Sequence, residues 1–150
     1  MEPRVSIITL GVSEMARSIR FYRDGLGFPT TAKDDDDWAI FRLAGTRFAL
    51  YPNNKLAEDI GPDIVPSVQG FCGVTLAHNV REKDEVQRVL DLAVAAGGTL
   101  LKPAQTASWG GHSGYFADPD GYPWEVAWGE GWEFDEQGTL WGGSLGSPGD

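Results

Sequence analysis

The chain has 150 residues, of which 41% are hydrophobic and 23% charged, a balance typical of a globular protein with a substantial core. Its net charge of −10 argues against nucleic-acid binding, because too few cations are present to neutralise phosphates. The single cysteine, Cys72, excludes an internal disulfide, and no apolar run is long enough to cross a bilayer. We therefore expect a cytoplasmic protein with no nucleic-acid or membrane partner.

The first part of the chain, residues 5–52, predicts a β-α-β-β unit. The β-branched run VSIITLGV at 5–12 predicts a strand. Apolar residues at helical spacing follow it, with Ser13 as the predicted N-cap and Gly25 or Gly27 as the predicted stop.

Two short strands and a linker complete this half. The runs DWAIFRL and TRFALYP predict strands joined by a turn at Ala44-Gly45, and an extra short strand is expected near 29–31. Residues 53–69 are polar and interrupted by prolines, so they predict a linker.

The same order of elements then restarts. Residues 71–80 predict a strand, and the following helix is expected to end at Gly97-Gly98. The runs TLLKPA, GYFADP and YPWEVAW predict three more strands, the last two joined by the turn sequence DPDG at 118–121. Residues 131–150 lie outside this repeat and predict a hairpin turning at Gln137-Gly138, followed by a flexible end.

The two halves form an internal repeat. Two pairs of equivalent positions, one at the end of the first strand and one in the hairpin turn, serve as anchors: Val12 with Val80, and Gly45 with Gly121. This alignment places the following residues opposite each other: Ile7 with Thr75, and Ala49 with Glu125. Because each half is too small to bury its own sheet, we expect the two to pack around a shared cleft.

The segments VSEMARSIRFYRDGLGF and FADPDGYPWEV resemble the two signature regions of the vicinal oxygen chelate superfamily, which includes glyoxalase I, extradiol dioxygenases and bleomycin-resistance proteins. The resemblance covers about residues 5–130. It implies an α+β fold of paired βαβββ modules that form a cupped mixed sheet with the helices outside, in a homodimer. Residues 1–130 would then be a single domain of two modules, about 5–52 and 71–130, with 131–150 as a partly flexible C-terminal extension.

Metal-dependent members of this superfamily hold a divalent ion with side chains from the first and last strands of the two modules. The resemblance assigns these places to the four residues that the repeat also aligns: Ile7, Ala49, Thr75 and Glu125. Only Glu125 has a side chain suited to binding a metal, and divalent sites need several converging donors. We therefore expect no metal cofactor; the alternative is a divalent metal held by ligands from elsewhere, such as His112.

A cup without metal would be a concave site for a small molecule. The predicted ligand-binding residues are Trp38, Phe41, Tyr51, Thr75, Trp109, His112, Tyr115 and Glu125. Trp109 lies in a glycine-rich loop, a position that favours stacking on a planar ligand. Glu125 is the candidate catalytic residue; it could act as a general base, bind a cationic group, or form a structural ion pair with Arg42 or Arg47.

Three functions remain open at this point. The leading hypothesis is a metal-free protein that sequesters a cationic or aromatic drug-like compound. The alternative is a metal-dependent enzyme, either a lyase of the lactoylglutathione lyase type or a dioxygenase. A third is a metal-free lyase or isomerase with Glu125 as base. The acidic run 34–37 could help to attract a cationic ligand.

Overall fold

The computed structural model describes residues 1–66 and 70–142. The chain divides into two compact units, residues 1–73 and 74–150, and each unit contains its own mixed sheet. Helices are few and short, so the predicted α+β class is confirmed. In the part of the chain that is described, no helix has both the length and the apolar character needed to cross a membrane.

The described residues of the N-terminal unit form three strands and two helices. They are β1 (Ile7–Val12), α1 (Met15–Arg20), β2 (Ala39–Phe41), β3 (Arg47–Pro52) and α2 (Asn53–Ile60), and a π-helical turn (Phe21–Gly25) extends α1. The strand order is β1-β3-β2, with β1 parallel and β2 antiparallel to β3. The sheet therefore follows the predicted β-α-β-β order.

The start of α1 differs from the prediction. Glu14 occupies the N-cap position with extended backbone angles, and no side chain caps the helix there. The Ser13 hydroxyl instead accepts a hydrogen bond of 2.9 Å from the Arg17 guanidinium. Ser13 lies one residue too early to cap a helix that begins at Met15, so the predicted N-cap is wrong.

The predicted linker at 53–69 begins as a helix. Helix α2 buries Ala57, and Pro62 follows the helix instead of interrupting it. Its first residue, Asn53, approaches β1 so closely that a Cβ atom on Gly11 would lie 2.5 Å from the Asn53 Oδ1 atom. The prediction of a linker was wrong because the polar composition of this segment gave no clear signal for a short amphipathic helix.

The extra strand expected near 29–31 is not formed as a regular strand. The segment nevertheless bonds to the edge of β2. The Pro29 carbonyl accepts a hydrogen bond of 2.9 Å from the Arg42 amide, and the Thr30 hydroxyl donates one of 2.7 Å to the Ile40 carbonyl. Proline has no N–H to donate, which limits ladder pairing at this position.

The core of the N-terminal unit is an aromatic cluster of Tyr22, Phe28, Phe41 and Phe48, with ring centroids 4.8 to 6.3 Å apart. Phe41 was predicted to contact a ligand, but its exposed fraction is 0%. Trp38 and Phe41 are three residues apart, so strand alternation directs them to opposite faces. Phe41 is therefore a core residue, and the prediction that it contacts a ligand is wrong.

Residues 74–142 of the C-terminal unit form a four-stranded sheet, one helix and a hairpin. They are β4 (Leu76–Asn79), α3 (Glu85–Ala95), β5 (Thr99–Thr106), β6 (His112–Ala117), β7 (Pro123–Trp128), β8 (Glu133–Phe134) and β9 (Leu140–Gly142). The sheet order is β4-β7-β6-β5, with β4 parallel to β7 and the other pairs antiparallel. The strand predicted at 71–80 begins only at Leu76.

Helix α3 packs on one face of this sheet, and Val86, Leu90 and Ala93 are its buried residues. Gly114 on β6 allows the close approach, because a Cβ atom there would lie 2.6 Å from a Leu90 methyl carbon. The helix ends at Ala95, just before the predicted stop, and Gly97 adopts a φ of +109° that favours glycine.

The predicted turn between β6 and β7 is confirmed. The buried Asp118 carboxylate accepts hydrogen bonds from the amides of Asp120 (3.0 Å) and Tyr122 (2.9 Å). Gly121 adopts a φ of +90°. This turn holds β6 and β7 in the register that positions the candidate site.

The C-terminal hairpin β8–β9 turns at 135–139, as predicted, and Gly138 has a φ of +83°. Arg81 attaches the hairpin to the unit. Its guanidinium donates a 3.1 Å hydrogen bond to the Asp135 carbonyl and lies 4.9 Å from the centre of the Phe134 ring. The end predicted to be flexible is residues 142–150; Gly142 is the last residue of β9, and residues 143–150 lie outside the described residues.

Candidate functional site

A row of polar side chains crosses the sheet of the C-terminal unit. Glu125 on β7 is the register partner of Tyr115 on β6, and Tyr115 is in turn the partner of Lys102 on β5. On its other side, Glu125 is the partner of Ala77 on β4. Because register partners lie on the same face of a sheet, the Lys102–Tyr115–Glu125 row is a single local cluster.

The opposite face of the same strands is apolar. Trp124, Val126 and Phe116 are buried there, and the Trp124 and Phe116 rings stack with centroids 6.0 Å apart. Gly114, against which α3 packs, also belongs to this face by alternation. Glu125 and Tyr115 therefore point away from α3.

The three side chains of the row are half-buried and interact electrostatically. Burial raises the pKa of the Tyr115 hydroxyl, and the charge of Glu125, together with hydrogen bonding to its carboxylate, raises this pKa further. The Lys102 ammonium lies 5.8 Å from the centre of the Tyr115 ring, within the range of a cation–π contact. Tyr115 is thus a neutral hydrogen-bonding group between a cation and an anion.

The sequence does not predict that Lys102 belongs to this row, because a bulge in β5 determines its position. Leu100 is the partner of Phe116, but the next pair is Lys102 with Tyr115, so Leu101 is the extra residue. Without this bulge, Leu101 would stand opposite Tyr115. The only available signal was a single charged residue in the run TLLKPA.

Trp109 stacks within the protein. Its ring lies parallel to that of Trp132, with an angle of 8° between the planes and 5.7 Å between the centroids. Two glycines make room for these rings, because Cβ atoms on Gly111 and Gly129 would overlap the rings of Trp109 and Trp132, respectively. Trp109 is still 43% exposed, so its predicted role in stacking a ligand remains a prediction.

The histidines do not join the row. His112 is half-buried and is the partner of Trp128, on the face opposite Tyr115. Its Nδ1 atom is buried without a hydrogen-bond partner among the described residues. His78 is exposed and is the partner of Val126, again on the face opposite Glu125.

The remaining predicted ligand-binding residues lie outside this row. Thr75 is exposed and precedes the first residue of β4. Trp38 and Tyr51 belong to the N-terminal unit, where their rings make an edge-to-face contact at 5.6 Å. Trp38 is 43% exposed, so these two residues retain an accessible aromatic surface.

The acidic run at 34–37 is partly neutralised by nearby cations. Asp34 forms ion pairs with Arg20 (2.8 Å) and Arg23 (2.9 Å), and Asp37 forms one with Lys55 (2.6 Å). Hydrogen bonding to Arg20 and then to Arg23 lowers the pKa of Asp34. These contacts favour a structural role for the run over attraction of a ligand.

The resemblance assigns four positions to metal ligands, and three of them carry side chains that are poor ligands for a divalent ion. Ile7 and Ala49 have hydrocarbon side chains, and Thr75 offers only a hydroxyl. Across residues 1–66 and 70–142, no group of three or more His, Cys, Asp or Glu side chains is arranged to hold a metal ion.

Residues 4–126 match the sequence model of a protein family, the Glyoxalase/Bleomycin resistance protein/Dioxygenase superfamily. The chain therefore belongs to this superfamily. A glyoxalase-related enzyme from Fulvimarina pelagi is 34% identical, with a TM-score of 0.82 over 92% of this chain and 96% of that one. A lactoylglutathione lyase from Agrobacterium tumefaciens shares the fold at 20% identity, with a TM-score of 0.64 over 88% and 98% of the two chains. The uncharacterized protein YraH of Bacillus subtilis (strain 168) is 25% identical over 114 residues, covering 75% of this chain and 88% of YraH.

Proposed function

We propose that this member of the superfamily binds a small molecule without a metal ion, on the face of the C-terminal sheet that carries Glu125. The main support for this proposal is the environment of Glu125. Glu125 is half-buried beside Tyr115, and three of the four positions that the resemblance assigns to metal ligands carry side chains poorly suited to that role. A carboxylate in that setting can accept hydrogen bonds from a cationic or polar group of a ligand.

The proposed ligand is a cationic or aromatic drug-like compound, which the protein sequesters. The Tyr115 ring supports an aromatic ligand, and the net charge of −10 favours a cation in solution. A role in drug sequestration agrees with membership of a superfamily whose description includes bleomycin resistance.

A titration of chelator-treated protein with a metal-free bleomycin-type glycopeptide, followed by tryptophan fluorescence, tests this function. We expect a saturable change at micromolar concentration, weakened about tenfold by Glu125→Gln because a charge-assisted hydrogen bond is lost. Glu130→Gln is the matched control, since it removes the same charge from an exposed position close in sequence. If the fluorescence does not change, bleomycin-type glycopeptides are excluded as ligands of this protein.

The alternative function is a metal-dependent lyase or dioxygenase. The lactoylglutathione lyase from Agrobacterium tumefaciens shows that a lyase has this fold. An assay with methylglyoxal and glutathione, in the presence of added nickel or zinc, tests the lyase alternative. Turnover that depends on Glu125 and on the metal would favour it over metal-free binding.

A further inference from the structure

The C-terminal unit carries a cation that the proposed function does not use. Lys102 and Glu125 stand on β5 and β7, the two strands that flank β6, and the Lys102 ammonium lies over the ring of Tyr115. Lys102 and Glu125 therefore flank the same aromatic ring with opposite charges. Neighbouring strands are about 4.8 Å apart, so the backbones of β5 and β7 are separated by roughly 10 Å.

We propose that this site selects an amphoteric aromatic ligand, with a cationic group at one end for Glu125 and an anionic group at the other for Lys102. The inference rests on the proposed function and names the class of ligand more narrowly. The ring of the ligand would occupy the face of Tyr115 that the Lys102 ammonium now covers.

The length and flexibility of a lysine side chain permit this arrangement. An ammonium over a tyrosine ring in a half-buried place is held by a weak attraction, and its four-carbon stem allows it to move to a nearby anion. The β5 bulge places Lys102, instead of the apolar Leu101, opposite Tyr115. Bulges near ligand sites commonly redirect one side chain in this way.

Ligands with a single charge would be disfavoured at this site. A ligand with only a cationic group meets repulsion from Lys102, and one with only an anionic group meets repulsion from Glu125. On the other side of Glu125, its partner Ala77 is small and exposed, so β4 does not fill the space beside the carboxylate. A cationic group can approach Glu125 from that side.

Three matched benzene derivatives test the proposal: 4-(aminomethyl)benzoate carries both charges, 4-methylbenzylamine only the cation, and 4-methylbenzoate only the anion. Their dissociation constants are measured by amide NMR shifts of the whole chain, whose spectrum also reports folding. We expect 4-(aminomethyl)benzoate to bind about tenfold more tightly than either singly charged compound.

The variant Lys102→Met should remove this preference. We expect 4-(aminomethyl)benzoate to weaken to the level of 4-methylbenzylamine, whose own binding stays equal or becomes tighter. Lys83→Met, at an exposed lysine before α3, is the control for the loss of one charge and should leave the preference intact.

Two results would overturn the proposal, and they have different consequences. If 4-methylbenzylamine binds as tightly as 4-(aminomethyl)benzoate, and Lys102→Met changes neither, the amphoteric preference is wrong while metal-free binding at Glu125 stands. If none of the three compounds shifts the resonances of Tyr115 or Glu125 at millimolar concentration, the proposed binding of aromatic compounds on this face is also wrong.

Discussion

Tyr115 and Glu125 are register partners on adjacent antiparallel strands, and burial, together with the charge of Glu125, raises the pKa of the Tyr115 hydroxyl. The protonation of the Tyr115 hydroxyl therefore depends on the nearby Glu125 carboxylate. This coupling can be measured without knowledge of the ligand.

Glu125→Gln is expected to lower the pKa of Tyr115 toward its ordinary value, because the charge that disfavours the phenolate is removed. Burial keeps part of the shift. A pH titration of ¹³Cζ-labelled tyrosines resolves Tyr115 from the other three. An unchanged pKa of Tyr115 in Glu125→Gln, equal to that in Glu130→Gln, would contradict the contact.

The same pair predicts how stability changes at alkaline pH. The folded protein retains the Tyr115 proton at a pH where the unfolded chain, with a tyrosine pKa of about 10, has lost it. The free energy of unfolding should therefore decrease as pH rises above about 10, and less so in Glu125→Gln. Urea unfolding across this range measures the difference, and parallel curves for the two proteins would contradict the prediction.

Asp34 is expected to stabilise the N-terminal unit through its ion pairs with Arg20 and Arg23. Because these pairs lower the pKa of Asp34, their contribution is present above the ordinary aspartate pKa and is lost as pH falls through the lowered value. Asp34→Asn should reduce stability slightly at pH 7 and not at strongly acidic pH, as measured by urea unfolding. Asp35→Asn is the neighbouring control; an equal effect of both substitutions at pH 7 would contradict the prediction.

Phe41 is expected to matter for stability and not for ligand binding. Phe41→Ala should cost about 3–5 kcal/mol, because it removes a fully buried ring from the aromatic cluster. Trp38→Ala should cost about 1 kcal/mol, the scale of one aromatic pair, since Trp38 is partly exposed. Chemical denaturation measures both; equal costs would contradict the placement of Phe41 in the core.

The stack of Trp109 on Trp132 is expected to join the loop before β6 to the segment after β7. A double-mutant cycle with Trp109→Ala and Trp132→Ala should give a coupling of about 1 kcal/mol, and Trp132→Phe should retain part of it. Additive effects of the two alanine substitutions on unfolding would show that the rings do not stabilise each other.

Much of the fold could be predicted from sequence periodicity. The run of 5–12, the apolar face of α3 and the turn that begins at Asp118 each carry a strong local signal. Helix α2 could not be predicted as readily, because a polar segment of eight residues forms a helix through its packing on β1 more than through local pattern. Ser13 was misassigned because capping depends on the precise residue at which a helix begins.

The site could be predicted only in part. Strand alternation alone places Glu125 away from α3. The same rule shows that Trp38 and Phe41 cannot face the same site, but only the burial of Phe41 identifies it as the core residue. Lys102 depends on the bulge in β5, and a one-residue slip between paired strands leaves no reliable mark in a single sequence.

The metal content of the purified protein, measured by mass spectrometry, distinguishes metal-free binding at Glu125 from a metal-dependent enzyme. The protein is stripped with a chelator, soaked separately with zinc, nickel, manganese and ferrous iron, and freed of excess ion. Metal-free binding at Glu125 predicts far less than one ion per chain in every case, with no difference between wild type and Glu125→Gln. About one ion per chain in the wild type, lost in Glu125→Gln, would contradict metal-free binding and favour the metal-dependent enzyme.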